Sequence, residues 1–145
     1  MLQRRVAALD CHGQGVIVEQ DLPELGPGQV QVKGVASLIS PGTELGRVKQ
    51  LRREKGEERP ARPFGYANAG EIERVAEGVE QFAVGDRVAC MGGGYALHAD
   101  RACIPQNLCA GIPNGVSFEA AASVHLAATG LHAIRRTLPL FGENG

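Results

Sequence analysis

The sequence predicts a mainly β protein, a barrel or sandwich with helices gathered at its C-terminal end. Two observations carry this. Short apolar runs recur up to about residue 112, each bounded by glycine or proline turns, with none of the longer helical patterns that would alternate with strands in a parallel sheet. Beyond Pro113-Asn114-Gly115 the composition changes to an alanine-rich stretch of high helix propensity.

Taken in order, Val6-Ala7-Ala8-Leu9 and Gly15-Val16-Ile17-Val18-Glu19 flank a Cys-His-Gly-Gln turn and read as a hairpin. Leu22-Pro23-Glu24-Leu25-Gly26-Pro27-Gly28-Gln29 is a turn cluster. It leads into Val30-Gln31-Val32-Lys33-Gly34-Val35, whose alternation marks a half-buried strand. Further strands are expected over 69–76, 87–90, 95–104 and 108–112, separated by turns at Glu77-Gly78 and Gly85-Asp86. The mixed-charge stretch 46–62 reads as a solvated helix followed by a mobile loop; a lid over a pocket, or a basic patch for an acidic substrate, is the functional alternative. Ser117 suits a helix N-cap, with Glu119 in the first turn, where a carboxylate favours the dipole. Thr129-Gly130 is expected to bend or divide the helix that follows, and its small residues suggest an internal connector rather than a surface helix.

At 145 residues the chain can bury a core of its own, and 43% hydrophobic with 21% charged residues suits a globular protein. A net charge of −1 argues against nucleic acid or an anionic membrane as a partner. No apolar run nears the roughly 18–20 residues of a membrane span, and Asp10 and His12 interrupt any signal-like core after Arg4-Arg5. A cytoplasmic location is the expectation. Cys11, Cys90, Cys103 and Cys109 form no CxxC motif and read as ordinary thiols. His12, His98 and His132 have no partner motif and read as surface or packing residues. Gly92-Gly93-Gly94 reads as a flexible turn, because no helix start follows to complete a phosphate cradle.

Four segments in order give the chain a family likeness: Ile39-Ser40-Pro41-Gly42-Thr43-Glu44; Gly65-Tyr66-Ala67-Asn68-Ala69-Gly70-Glu71-Ile72 with Gly85-Asp86-Arg87-Val88 beyond; Gly94-Tyr95-Ala96-Leu97-His98-Ala99; and Ile112-Pro113-Asn114-Gly115-Val116-Ser117 with Thr129-Gly130-Leu131-His132-Ala133. Together they resemble the medium-chain dehydrogenase/reductase superfamily. The resemblance implies a GroES-like, partly open β-barrel over residues 1–116 and a helical connector over 117–145. That connector would lead toward a Rossmann domain holding NAD(H) or NADP(H), whose first strand would begin about where this sequence stops. The expectation is therefore an N-terminal portion of an oxidoreductase, inactive by itself, whose complete form could be a homodimer.

Members with catalytic zinc would show a Cys-Gly-Thr/Ser-Asp motif and a Gly-His-Glu motif. Here Ser40-Pro41-Gly42-Thr43-Glu44 and Gly65-Tyr66-Ala67 stand in those places, and a serine hydroxyl is a poor zinc ligand. Only His125 matches a ligand position, so no metal is expected. The pattern is similar to the zincless branch around quinone oxidoreductases and bacteriochlorophyllide dehydrogenases, which implies NAD(P)(H)-dependent chemistry on a carbonyl or quinone-like substrate. Tyr66, His125, Ser40 and Thr43 are the candidate catalytic groups, as donors to an oxyanion or a proton relay. Each also has a plain structural reading: packing for Tyr66 and His125, helix capping for Ser40 and Thr43. Thr129 is the candidate cofactor contact, or a helix hydroxyl bonded to a carbonyl. Asn68 would orient Tyr66 or close a turn. The alternatives are a stand-alone GroES-like binding module and a zinc alcohol dehydrogenase with a displaced metal site.

Overall fold

The computed structural model describes residues 2–54 and 58–137. The chain runs β1 (Gln3–Leu9), β2 (Gly15–Asp21), β3 (Gln29–Ser37), α1 (Thr43–Arg53), β4 (Arg62–Pro63), β5 (Ala67–Val75), β6 (Arg87–Met91), β7 (Arg101–Pro105), β8 (Cys109–Gly111), α2 (Phe118–Ala122) and α3 (Val124–Thr137). A three-stranded sheet has the order β2-β1-β4 and a five-stranded sheet the order β7-β3-β5-β6-β8. Every pairing is antiparallel and neither sheet closes on itself, so the architecture is a partly open barrel.

The N-terminal hairpin follows from its turn. The Asp10 carboxylate accepts the His12 and Gln14 backbone N–H groups, at 2.9 and 2.8 Å, which fixes the chain reversal between β1 and β2. In the larger sheet, Val30, Val32, Ile72, Val88, Ala102 and Ile104 come from alternate positions on four strands and form the buried core. On the opposite face the small side chains of Ala69 and Ala89 let α2 approach through Ala121 and Ala122. Ser117 caps α2, its Oγ accepting from Ala120 N at 3.2 Å, as the sequence predicts.

Several expectations need correction. β3 does not alternate cleanly: Gln31 is 3% exposed, on the side where Leu22, Pro23 and Leu25 of the turn cluster border a cleft over it. Its burial is tolerable because Nε2 donates to Glu73 at 2.9 Å. The long strand expected over 95–104 begins only at Arg101. Before it, Gly92 and Gly94 take φ of +123° and +82°, and the chain passes through tight turns closed by Leu97 N→Tyr95 O and Ala99 N→Leu97 O at 2.9 Å. The helix expected in the charged stretch is α1, but part of the expected loop is β4, which continues β1's sheet. Residues 55–57 of that loop, and 138–145 where the nucleotide-binding strand was expected to begin, lie outside the described residues. Thr129-Gly130 divides nothing: the break falls at Ser123, whose hydroxyl bonds Ala120 O at 2.7 Å, and α3 runs on past Gly130. Nor is α3 internal, since Leu126, Leu131 and Ile134 are exposed.

Gly34 and Gly70 face each other across β3 and β5 beside a register shift. A Cβ on Gly70 would overlap the Lys33 carbonyl, and one on Gly34 the Ala99 carbonyl. Backbone cannot yield as a side-chain tip can. Gly70→Ala should therefore cost about 3 kcal/mol in urea unfolding, whereas Gly93→Ala, with open space around it, should change stability by less than about 0.5 kcal/mol.

Glu73 also receives Arg101 Nε at 3.0 Å. Partial burial pushes the Glu73 pKa up, but hydrogen bonds from Gln31 and Arg101, with the Arg101 and Lys33 charges, outweigh it and hold the carboxyl below its ordinary value. A carboxyl with a depressed folded pKa stabilises above its unfolded pKa, about 4.3 for Glu, and loses that contribution as pH falls through the folded value. The stability gap between wild type and Glu73→Gln should be full near pH 6 and close below about pH 4.3, as urea midpoints across pH would show. A gap unchanged down to about pH 2 would contradict this assignment.

Candidate functional site

Gly65 is the pivot of the candidate site. It holds φ +122° immediately before β5, and a Cβ there would strike the backbone of Leu97 and His98. No other residue type suits both the conformation and the approach. On either side of Gly65 stand two aromatic pairs. Phe64 meets His98 edge-on at 4.9 Å between ring centroids and 78°. Tyr66 meets His125 in the same manner, at 4.9 Å and 79°.

Tyr66 and His125 are thus brought together from segments far apart in sequence. The Tyr66 carbonyl accepts Gly92 N–H at 2.9 Å, tying its backbone to the end of β6. His125 projects from the first turn of α3, and its Nδ1 is a buried polar atom with no hydrogen-bond partner among the described residues. A buried nitrogen left open costs stability unless something else fills the place. Asn68 is 1% exposed and donates from Nδ2 to Leu97 O at 2.9 Å, while its Oδ1 is likewise unpartnered. Its contact is to the chain beneath Gly65.

Ser40 and Thr43 occupy a different setting, the start of α1. Ser40 Oγ accepts Thr43 N–H at 3.4 Å, a long bond. The Ser40 carbonyl accepts Glu44 N–H at 3.2 Å and Leu45 N–H at 3.3 Å. Glu44 Oε2 accepts Ser40 N–H at 2.6 Å, so the loop and the first helical turn close on each other. The other oxygen, Oε1, receives His98 Nε2 at 3.0 Å, with both side chains 6% exposed. His98 was expected to be a surface or packing residue with no partner motif; it is buried and hydrogen-bonded to Glu44. The helix-start signal around Ser40 and Glu44 was visible in the sequence, but the partner lies 54 residues away and no local pattern announces it.

Thr129 is exposed on α3 and its Oγ1 donates to His125 O at 3.0 Å, which leaves the hydroxyl oxygen free only to accept. Arg47, Arg59 and Arg62 of the charged stretch gather with Leu51 and Phe64 around a cavity of about 230 Å³, which neither Tyr66 nor His125 lines. Among the described residues no three His, Cys, Asp or Glu side chains are grouped as a metal site would need, and no helix is long and apolar enough to cross a membrane.

Removing the Glu44 carboxylate strands two buried donors, Ser40 N–H and His98 Nε2. Glu44→Ala should cost about 3 kcal/mol or more in urea unfolding, and Glu44→Gln clearly less, because its amide oxygen can still accept one of them. Equal losses for the two variants would argue against the pair.

The family model described as "Alcohol dehydrogenase GroES-like domain" matches residues 26–134. An L-idonate 5-dehydrogenase of Vitis vinifera is 30% identical over 142 residues, covering 79% of this chain and 38% of that protein. A quinone oxidoreductase of Pseudomonas aeruginosa is 35% identical over 80 residues, covering 54% of this chain and 25% of that protein. Among solved structures, the quinone oxidoreductase of Pseudomonas syringae pv. Tomato DC3000 superposes with a TM-score of 0.76 at 25% identity, over 96% of this chain and 42% of that one. The chain therefore spans well under half the length of the relatives it matches.

Proposed function

Because the chain belongs to the alcohol dehydrogenase GroES-like domain family, within the medium-chain dehydrogenase/reductase superfamily, we propose that it is the substrate-side part of a zinc-independent, NAD(P)(H)-dependent oxidoreductase acting on a carbonyl or quinone-like compound. Residues 1–116 are the barrel wall and 117–145 the connector to a Rossmann domain. The observation that carries the reading is the meeting of Tyr66 with His125, whose buried Nδ1 is open, beside the rigid Gly65 turn.

Two facts about the residues support zinc independence. Ser40 and Tyr66 stand where zinc members would place Cys and His ligands, and the Ser40 backbone is engaged with Glu44 at the start of α1. His125 alone cannot hold the about three protein ligands of a catalytic zinc. A bound nicotinamide dinucleotide supplies the hydride chemistry. This chain's contribution is electrostatic: the Tyr66 phenol donates to the substrate oxygen as negative charge gathers on it, and His125 stands against the Tyr66 ring as a proton relay. Ser40 and Thr43, at the α1 end of the wall, are secondary polar contacts. Thr129, able only to accept, fits an amide N–H donor such as a carboxamide presents.

The test is steady-state NAD(P)H oxidation with a para-quinone, on the polypeptide that carries the dinucleotide-binding half. Tyr66→Phe should lower kcat by about 10²-fold, the usual effect of losing one oxyanion donor, with KM little changed, and a chelator should leave the rate intact. An undiminished rate in Tyr66→Phe, or loss of activity on chelation, would refute the reading.

A further inference from the structure

Cys90 on β6 and Cys109 on β8 are direct cross-strand partners, with sulfur atoms 3.7 Å apart. Their position in the ladder matters. Arg87 and Ile112 lie opposite each other one step along the same register, and Ile112 N–H donates to Arg87 O at 2.8 Å. Hydrogen-bonded and open pairs alternate along an antiparallel ladder, so Val88↔Gly111 is open, Ala89↔Ala110 bonded, and Cys90↔Cys109 open again. Open pairs bring Cα atoms to about 4.5 Å, inside the range of about 4.4–6.8 Å that a disulfide spans. Only side-chain rotation is then needed to bring the sulfurs into bonding distance.

We propose that Cys90 and Cys109 form a reversible oxidation site, closing to an intrachain disulfide on exposure to a hydroperoxide. The two thiols differ in a way that assigns their roles. Cys109 is only partly buried, and the hydrogen bond from Cys90 lowers its pKa, overcoming the opposing effect of burial. Cys90 is 3% exposed, and that hydrogen bond, burial and the neighbouring sulfur all hold it as the thiol. The Cys109 thiolate attacks one peroxide oxygen; the O–O bond breaks and hydroxide leaves, taking up the Cys109 proton as water. Cys90 Sγ then attacks the sulfenic sulfur of Cys109; the S–O bond breaks and the oxygen leaves as a second water with the Cys90 proton. Two thiols are oxidised and one hydroperoxide is reduced.

The closed form would staple β8, a three-residue edge strand, to β6. Cys90 also pairs with Asn68 on its other side, two residues from Tyr66, so the bond would stiffen the sheet next to the candidate site. This does not depend on the proposed enzymatic reading, because it rests on the two strands alone.

The experiment is hydrogen peroxide treatment of the folded protein, iodoacetamide alkylation under denaturing conditions, and intact mass with a non-reducing tryptic map. Before alkylation the protein should lose about 2 Da, regained with dithiothreitol. Cleavage after Arg101 separates Cys90 from Cys109, so a disulfide would join the peptide of residues 88–101 to the one beginning at Ala102. That second peptide also carries Cys103, so the map is repeated in Cys103→Ser, where the link should persist. In Cys90→Ser, Cys109 should instead gain oxygen, about 16 or 32 Da. Four alkylated thiols after peroxide, or a link lost in Cys103→Ser, would overturn the proposal. Should a variant fail to fold, fragmentation of the linked wild-type peptide between Cys103 and Cys109 decides it, with the link on the Cys109 side expected and one on the Cys103 side overturning the proposal.

Discussion

The seam at Leu97–Asp100 holds this structure together. Its backbone receives Ala7 N–H at His98 O and gives His98 N–H to Phe64 O, which joins it to the first sheet. Asp100 N–H reaches Arg5 O, while Asp100 O takes Gly34 N–H from the second sheet. Asn68 adds a side-chain bond to Leu97 O, and Glu44 reaches in from α1 to His98. A strand of regular pleat could not serve four directions at once. The segment is irregular because its hydrogen bonds are divided among several elements instead of being spent on one neighbour.

That constraint explains the glycines around it. Gly34 and Gly65 are where the seam passes too close for a Cβ, and both leave the seam's backbone within reach of β3 and of the turn before β5. The candidate site inherits its rigidity from the same place. Tyr66 leaves Gly65 in a direction set by backbone on both sides, and meets His125 from a helix whose base packs on the sheet through α2. A side chain held this way loses little further freedom when it meets a ligand, which is the physical sense of preorganisation.

Much of this was legible along the chain. The hairpin and the capped helix at Ser117 each depend on neighbours in sequence or on a residue type with one strong physical use. What sequence could not supply is the identity of distant partners. Tyr95-Ala96-Leu97-His98 has the composition of a strand, yet its amides and carbonyls bond to Ala7, Phe64 and Gly92 and within the turn itself. His98 had no visible partner because Glu44 is reached only through the fold. Gln31 looked solvent-facing until the turn cluster was seen to cover it. Thr129-Gly130 looked like a breaker, but a single glycine costs a helix only about 1 kcal/mol and the Thr129 hydroxyl bonds back within the helix.

The central claim is that this wall presents Tyr66, and no metal, to the oxygen of a substrate. The most direct measurement is a crystal structure of the protein that includes the dinucleotide-binding half, with oxidised cofactor and a bound hydroquinone or alcohol. The account predicts the Tyr66 hydroxyl at about 2.7–3.1 Å from the substrate oxygen, with His125 against the Tyr66 ring. A zinc ion on His125, or a substrate oxygen bound elsewhere with Tyr66 turned into the protein, would contradict it.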